Sequence, residues 1–239
     1  MTAPQVSVVI PVFNEATIVR AAVVELLRKL EALPAPLCDC EILLAENGST
    51  DETPRLLRAL ADEHPRVRFF HEDAPNYGRA LKRGILEARG ALVFCDEIDL
   101  CDVDFYQRAL PLLLAGTDLV VGSKAMRGAN DARPFVRRLA TRLITLLLRL
   151  ATGFSGTDTH GLKAFHAARL AAAVRACHVD RDLFASELVI RAARMGCTVR
   201  EIPIALSEKR PPSINLLRRV PRVLRGLIQL GWTIRVRHR

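Results

Sequence analysis

The chain has 239 residues, of which 50% are hydrophobic, and this composition is sufficient for the core of a folded domain. Lys and Arg number 35 against 26 Asp and Glu, so the net charge is +9 and an anionic partner is expected, such as a nucleotide or a membrane surface. Nucleic acid is not expected in that role, because aromatic residues make up only 5% of the chain and are not interleaved with the basic residues.

The sequence also predicts a cytoplasmic protein that does not span a membrane. It shows no basic segment followed by an apolar one at its start, and no run of about 18 uncharged apolar residues. The six cysteines form no pair of C-x-x-C units, and several lie in apolar runs. We therefore expect buried free thiols rather than disulfides or a zinc site.

Strands and helices alternate regularly in the first half of the chain. Residues 6–10 are rich in β-branched side chains and predict a strand that ends at Pro11, before a helix that Asn14 caps. Similar patterns predict strands at 41–45, 67–71 and 91–95, helices ending near residue 60 and covering 80–88 and 103–114, and a turn at 76–78. Asp102 is the expected cap of the helix at 103–114. This alternation predicts an α/β fold with a mainly parallel, doubly wound central sheet flanked by helices.

The second half of the chain follows a looser pattern. It predicts strands at 118–122, 161–165 and 198–204, the last at an edge of the sheet, and helices at 135–154 and 184–195. From Ile214 to Arg235, apolar residues alternate with arginines in helical rhythm, with Pro221 as a break. We therefore divide the chain into a domain at 1–210 and a basic amphipathic C-terminal helix within 211–239.

Three carboxylates, Asp96, Glu97 and Asp99, follow the predicted strand at 91–95 within four positions. Ligands collect at the carboxyl ends of strands in open α/β sheets, and clustered carboxylates can hold a hard divalent cation there. A simpler interpretation stays open, in which such acids cap the next helix or bind turn amides, and it applies most directly to Asp96.

Several motifs, taken together and in order, resemble family 2 glycosyltransferases of the Rossmann-like GT-A fold. They are Pro11-Val12-Phe13-Asn14-Glu15, Glu46-Asn47-Gly48-Ser49-Thr50-Asp51, Asn76-Tyr77-Gly78, the acidic strand end and Gly122-Ser123-Lys124. The later segments 158–165, 187–192 and 201–203 are most similar to the dolichol-phosphate mannosyltransferase and polyprenyl-phosphate glycosyltransferase branch. The resemblance covers roughly residues 5 to 210.

The resemblance implies a nucleotide-sugar donor, GDP-mannose or a UDP-sugar, and a Mg²⁺ or Mn²⁺ cofactor. Glu97 and Asp99 occupy the metal-binding D-x-D positions of the family, with Glu97 in place of the first aspartate. Donor contacts are assigned to Pro11, Phe13, Glu15, Glu46, Asn47, Asp51, Gly78, Lys82, Asp96 and Glu97. Structural roles stay open for several of these, because Asp51 can cap a helix, Glu15 can interact with a helix dipole and residues 47–50 can form a simple turn.

The resemblance also implies a polyprenyl-phosphate acceptor and inversion at the anomeric carbon. Hydroxyl-acceptor members of the family place an E-D pair seven and six residues before an arginine like Arg191, where this chain has Phe184 and Ala185. A phosphate acceptor needs cations rather than a general base. We assign catalysis to Asp99, Lys124 and Arg137, and acceptor binding to Arg127, Arg133, Asp158 and Glu187. His160 is expected to be a turn residue.

Two alternative functions stay open: a hydroxyl-acceptor glycosyltransferase of polysaccharide or glycolipid synthesis, and a catalytically impaired nucleotide-sugar-binding protein. The departures at Glu46, Asn47, Glu97 and Lys124 keep the second open. The C-terminal arginines predict peripheral attachment to an anionic membrane surface. A homodimer or an integral-membrane partner also stays open.

Overall fold

The computed structural model describes residues 4–131, 135–180, 183–206 and 225–234. The strands of the described ranges are β1 (Val6–Val12), β2 (Glu41–Glu46), β3 (Val67–His71), β4 (Leu92–Cys95), β5 (Leu119–Ser123), β6 (Asn130–Asp131), β7 (Lys163–His166), β8 (Val199–Pro203) and β9 (Ala205–Leu206). The helices are α1 (Val19–Glu31), α2 (Thr53–Glu63), α3 (Tyr77–Glu87), α4 (Val103–Leu114), α5 (Phe135–Thr152), α6 (Ala167–Ala176), α7 (Phe184–Arg194) and α8 (225–234).

Seven strands form the central sheet in the order β3-β2-β1-β4-β7-β5-β8. Six of these run parallel and β7 runs antiparallel between β4 and β5, so the predicted mainly parallel α/β fold is confirmed. The predicted edge position of β8 is confirmed as well. The short strands β6 and β9 pair with each other in a separate two-stranded sheet.

Helices cover both faces of the sheet because its strands are apolar on both sides. One core cluster joins the sheet to α1, α2 and α4, and a second joins the opposite face to α3, α6 and α7. A third cluster lies between α5, α7 and α8, where Leu148, Ile190 and Leu230 are buried together. The helix at 225–234 therefore packs on the domain along one of its faces.

The prediction that Asn14 caps the first helix is wrong. The helix begins at Val19 after Ile18, with no side-chain cap. Asn14 instead has a positive φ of 53° and accepts a hydrogen bond from the amide of Thr50. The predicted turn at 76–78 is also wrong, since Asn76 caps α3 by accepting from the amide of Arg79, and Tyr77 and Gly78 form the first turn of that helix. Asp102 caps α4 as predicted, accepting from the amide of Phe105.

The strand predicted at 161–165 is β7, shifted to Lys163–His166. Gly161 precedes it at a close backbone approach, because a Cβ at this position would lie 1.6 Å from the carbonyl oxygen of Gly122. Much of the predicted C-terminal helix, including Pro221 and Arg218, lies outside the described residues. Among the helices that are described, none has the length and apolar character needed to cross a bilayer.

Candidate active site

The candidate site lies along the edge of the sheet where β1, β2, β4 and β5 end. The register pairs Val12 with Glu46, Cys95 with Lys163, and Val121 with Lys163. Since β7 is antiparallel, its first residue lies at the edge where its parallel neighbours finish. The motifs predicted from separate parts of the sequence therefore meet at one edge of the sheet, as expected for open α/β sheets.

Several hydrogen bonds join the segment after β1 to the segment after β2. The amide of Asn14 donates to Ser49 Oγ (2.8 Å), Glu15 to Thr53 Oγ1 (2.9 Å) and Ala16 to Asp51 Oδ2 (3.2 Å), while Asn14 Oδ1 accepts from Thr50 (2.8 Å). Partial burial opposes ionisation of Asp51, but the hydrogen bonds from Thr53 and Ala16 outweigh it and lower its pKa. The two segments predicted to bind the nucleotide thus form one continuous wall.

Glu46 and Asn47 are buried. The carboxylate oxygens of Glu46 and the side-chain oxygen of Asn47 all contact neighbouring protein groups. Glu46 Oε1 accepts from the amide of Ser49 (2.6 Å), and Oε2 contacts His71 Nδ1. Asn47 Oδ1 accepts from the amide of Asn76 (2.6 Å), at the start of α3. Both side chains therefore hold the turn in shape. Nearer the solvent, Phe13 is 37% exposed and Glu15 is half-buried, while Pro11 is buried in β1.

Tyrosine hydroxyls bind two of the three acids after β4. Tyr77 donates to Glu97 Oε1 (2.7 Å), and Tyr106 donates to Asp96 Oδ2. Asp96 is buried and also accepts from the amides of Glu97 (2.6 Å) and Asp102 (2.9 Å), so it has the turn-stabilising geometry that was left open for it. Burial raises the pKa of Asp96 to about 7 despite these hydrogen bonds.

Glu97 and Asp99 face solvent more than Asp96 does, Glu97 being half-buried and Asp99 exposed. Burial raises the pKa of Glu97 and the nearby Asp99 charge adds to the effect, whereas the Tyr77 hydrogen bond opposes it. A cation placed between the two carboxylates would relieve their repulsion. The described residues contain no group of three His, Cys, Asp or Glu side chains that could hold a metal.

Lys124 and Asp158 form an ion pair at the end of β5. Lys124 Nζ lies 3.3 Å from Asp158 Oδ2, and the side chains are 11% and 1% exposed. Burial opposes ionisation of Asp158, but the Lys124 charge and the amide of His160 outweigh it and lower its pKa. The Glu201 carboxylate on β8 fixes this turn by accepting from the amides of Thr157 (2.7 Å) and Asp158 (3.1 Å).

Lys163 is a buried lysine at the start of β7 for which no role was predicted from the sequence. Its Nζ donates to the carbonyl oxygen of Gly161 (2.7 Å), and burial lowers its pKa. In the register it lies opposite Cys95, whose thiol pKa burial raises to about 12. A lysine beginning an otherwise apolar strand was the sequence signal that could have identified it.

Glu187, which was predicted to bind the acceptor, lies in the core. Its Oε1 accepts from Arg191 Nε (2.7 Å), and its Oε2 accepts from the amides of His178 (2.9 Å) and Val179 (2.6 Å). Its side chain is 0% exposed. The contacts are those of a residue that anchors the loop after α6 to α7.

The remaining predicted site residues are spread more widely. Lys82 donates to the carbonyl oxygen of Cys177 (2.6 Å) and so contacts the end of α6, while Gly78 is buried in the first turn of α3. Arg127 is exposed after β5. Arg133 lies outside the described residues, and of Arg137 only the backbone position at the start of α5 is described.

Residues 7–170 match Glycosyl transferase family 2. The chain belongs to this family. Its relatives include Glycosyltransferase AglD of Haloferax volcanii, 30% identical over 98% of this chain and 38% of the relative. Another is the undecaprenyl-phosphate 4-deoxy-4-formamido-L-arabinose transferase of Pseudomonas aeruginosa, 31% identical over 82% of this chain and 56% of the relative. The chain thus spans about two fifths to just over half the length of these two curated relatives.

Solved structures support the fold of this family 2 member. Glucosyl-3-phosphoglycerate synthase from Mycobacterium tuberculosis, solved with Mn²⁺ and UDP, superposes with a TM-score of 0.65 at 19% identity over 97% of this chain and 80% of that one. The mannosyltransferase PcManGT from Pyrobaculum calidifontis, solved with GDP-Man and Mn²⁺, gives 0.59 at 19% identity over 98% and 72%. The predicted GT-A fold and the resemblance to family 2 glycosyltransferases are confirmed.

Proposed function

We propose that the chain is an inverting glycosyltransferase that moves a hexose from GDP-mannose or a UDP-sugar to a polyprenyl or dolichyl phosphate at the cytoplasmic face of the membrane. The observation that carries the proposal is the arrangement of charges at the acceptor end. There Lys124 Nζ lies 3.3 Å from the buried carboxylate of Asp158, whose pKa is lowered. Glu187 is separate from this pair, because Arg191 and two amides hold it in the core.

In this proposal the donor lies across the joined segments after β1 and β2. The side chains that we propose to contact it there are Phe13, Glu15, Asn47 and Asp51. Glu15 and Asp51 take part in the hydrogen bonds that join the two segments, whereas Asn47 accepts from the amide of Asn76 at the start of α3. Because these hydrogen bonds already order the two segments, less conformational entropy is lost when the donor binds. The sugar and the diphosphate would then extend towards the end of β4.

Glu97 and Asp99 fit a hard divalent cation, Mg²⁺ or Mn²⁺. Both offer carboxylate oxygens, and their repulsion contributes to the raised pKa of Glu97. Two protein ligands suffice for such a cation where the donor diphosphate and water supply the others. When bound, the cation supplies a Lewis acid that offsets the charge of the departing nucleoside diphosphate. Tyr77 holds Glu97 in position for that role.

The proposed phosphate acceptor needs no side chain that takes up a proton. A phosphate monoester has a second pKa of about 6 and is largely ionised at pH 7, so its attack on the anomeric carbon needs alignment and no general base. Lys124 can provide this alignment, because an ammonium has three donors and Asp158 occupies only part of them. The further cations of this proposal are Arg127 and either Arg137 or Arg133.

Two named relatives support a lipid-phosphate acceptor. One is the undecaprenyl-phosphate transferase described above, and another is a dolichyl-phosphate beta-glucosyltransferase of Trichomonas vaginalis, 26% identical over 84% of this chain and 65% of the relative. An acceptor of that kind is embedded in a bilayer. We therefore place the protein at the membrane surface, with the arginines of its C-terminal segment on anionic head groups.

The test supplies purified protein with labelled GDP-mannose or UDP-glucose, Mg²⁺ or Mn²⁺, and either polyprenyl phosphate in detergent or hydroxyl acceptors. We expect label on the lipid phosphate, with the anomeric configuration inverted relative to the donor. Transfer to hydroxyl acceptors alone would contradict the proposed acceptor.

A parallel thermal-shift screen of GDP- and UDP-sugars, with and without Mn²⁺, reports donor binding without turnover. Donor binding that is never followed by transfer or hydrolysis would favour the catalytically impaired alternative.

A further inference from the structure

The helix α5 carries a stripe of leucines on its outer side. Leu139, Leu143, Leu146 and Leu150 are 52%, 54%, 50% and 67% exposed, and their spacing of four, three and four residues places them on one face. Leu148 lies on the opposite face and is fully buried in the cluster with α7 and α8. The leucine stripe is thus separate from the face that holds α5 on the domain.

Arginines flank this stripe along one side. Arg138, Arg142 and Arg149 are exposed, and at about 100° per residue they lie roughly 70 to 110° around the helix from the centre of the leucine stripe. Arg149 donates to the carbonyl oxygen of Gly156 (3.0 Å), whereas α5 contains no Asp or Glu anywhere along its 18 residues. The outer side of α5 therefore combines an apolar face with a purely cationic border.

A second helix extends this surface. Ile228 and Trp232 of α8 are 74% and 67% exposed at a spacing of four residues, while Leu227 and Leu230 are buried. Arg225 is exposed one turn before Ile228, and residues 225–234 include no acidic residue. The apolar exposure of α8 is again confined to one face and accompanied by an arginine.

The two helices lie side by side at their C-terminal ends. Arg194 of α7 donates to the carbonyl oxygens of Thr152 (2.8 Å) and Ile234 (2.9 Å), and a Cβ at Gly231 would lie 3.6 Å from that of Ala151. Leu150 and Trp232 are the chain neighbours of Ala151 and Gly231. The two helices are therefore in contact at a point one residue away from Leu150 and from Trp232.

We propose that the outer faces of α5 and α8 form a docking surface for an anionic lipid bilayer, with the leucines, Ile228 and Trp232 inserted at the level of the head groups. The occupant is identified by charge complementarity, because arginines border an apolar face that has no acidic residue on either helix. Tryptophan is favoured at this depth, where its ring is half solvated. The inference deepens the proposed function, on which it rests for the lipid acceptor.

This surface lies on a membrane rather than crossing it. The α5 helix carries four arginines in 18 residues, and no described helix has the apolar character of a membrane span. An interfacial helix needs an apolar face and a basic border, which α5 has. The surface overlaps the C-terminal segment of the proposed function at α8 and Arg225, and it adds the leucines of α5, which lie within the domain at 1–210.

Trp232 provides the measurement, because it is the single tryptophan of the chain. Vesicles of phosphatidylglycerol and phosphatidylcholine should shift its emission to the blue, and brominated lipids should quench it. In flotation assays, Leu143→Gln with Leu146→Gln should weaken vesicle binding by at least about tenfold. The matched control is Leu114→Gln, at a leucine that is 70% exposed at the end of α4, and it should leave binding unchanged.

Three results would overturn the inference. The first is equal vesicle binding by the double variant and the control, and the second is no binding to protein-free vesicles. The third is a blue shift that depends on protein concentration in the absence of vesicles, because this indicates self-association. Circular dichroism and donor thermal shifts verify that the double variant is folded. Transfer to a short water-soluble prenyl phosphate should be unchanged in the double variant. Failure of this transfer in the wild type and in both variants would contradict the proposed function and not the docking surface.

Discussion

The Tyr77 hydroxyl donates a 2.7 Å hydrogen bond to Glu97, one of the two carboxylates that we propose as metal ligands. The chain contains two tyrosines, and the other, Tyr106, binds the neighbouring Asp96. Asp96 and Glu97 are thus adjacent in the sequence but bind different tyrosines. Asp96 is buried in the turn, whereas Glu97 remains half-buried at the edge of the site.

Tyr77→Phe should weaken activation by Mn²⁺ by about tenfold while leaving the fold intact. The hydrogen bond from Tyr77 opposes the effect of burial on Glu97, so its loss should raise the Glu97 pKa further and make metal binding weaker at low pH. Metal titrations of donor binding at several pH values measure this. Tyr106→Phe is the control, because it should lower stability instead, and equal metal affinity in wild type and Tyr77→Phe would contradict the assignment.

Glu97→Gln and Asp99→Asn should each abolish metal-dependent donor binding, since an amide lacks the charge that a divalent cation requires. The donor thermal shift with Mn²⁺ would fall to the value seen without it. Asp104→Asn, at an exposed acid of α4 that pairs with Arg108, is the matched control and should retain the shift. Full metal dependence in both site variants would rule out these ligands.

Glu187→Gln separates a structural role from acceptor binding. Glu187 and Arg191 form a buried i,i+4 pair at 2.7 Å, and breaking it should lower the free energy of unfolding by about 3 kcal/mol. Glu87 forms an i,i+4 pair of the reverse order at 2.7 Å with Arg83 on the surface, so Glu87→Gln should cost less than about 1 kcal/mol. Urea denaturation compares the two, and a stable Glu187→Gln protein with a raised acceptor KM would instead indicate direct binding.

The sequence predicted β4, its acids and α4 closely, because a buried strand followed by polar residues has a clear pattern. It missed α6, where six alanines lie on all sides of the helix and blur the apolar periodicity. The contacts of Tyr77 and Glu187 were not predictable, since they depend on how α3 and α7 pack on the sheet. Burial of Glu187 in particular follows from tertiary structure and not from the motif that contains it.

Replacing Arg218, Arg219, Arg222 and Arg225 by Gln tests the proposed contact of the C-terminal segment with the membrane. Vesicle binding should weaken and lose much of its dependence on salt, because each arginine near an anionic surface contributes about 1 kcal/mol. Deletion of 214–239 is a poorer test, since it also removes Leu227 and Leu230 from a core cluster. Unchanged flotation of the Gln variant at low salt would exclude these arginines as membrane contacts.

The Lys124–Asp158 ion pair should make the stability of the protein depend on pH. The pKa of Asp158 is lowered in the folded protein, so its contribution to stability is present above the unfolded value of about 3.9 and is lost as the pH falls through the folded value. Asp158→Asn should therefore lower the free energy of unfolding by about 1 to 3 kcal/mol at pH 7, with a smaller difference from wild type below about pH 4.

Lys124→Gln should reduce kcat/KM for polyprenyl phosphate by about a hundredfold, because it removes the ammonium that aligns the phosphate, and should leave the donor Kd unchanged. Lys124→Arg keeps the charge and should recover part of the loss. Activity of Lys124→Gln equal to wild type, or a loss confined to donor affinity, would mean that Lys124 serves only to neutralise the buried Asp158.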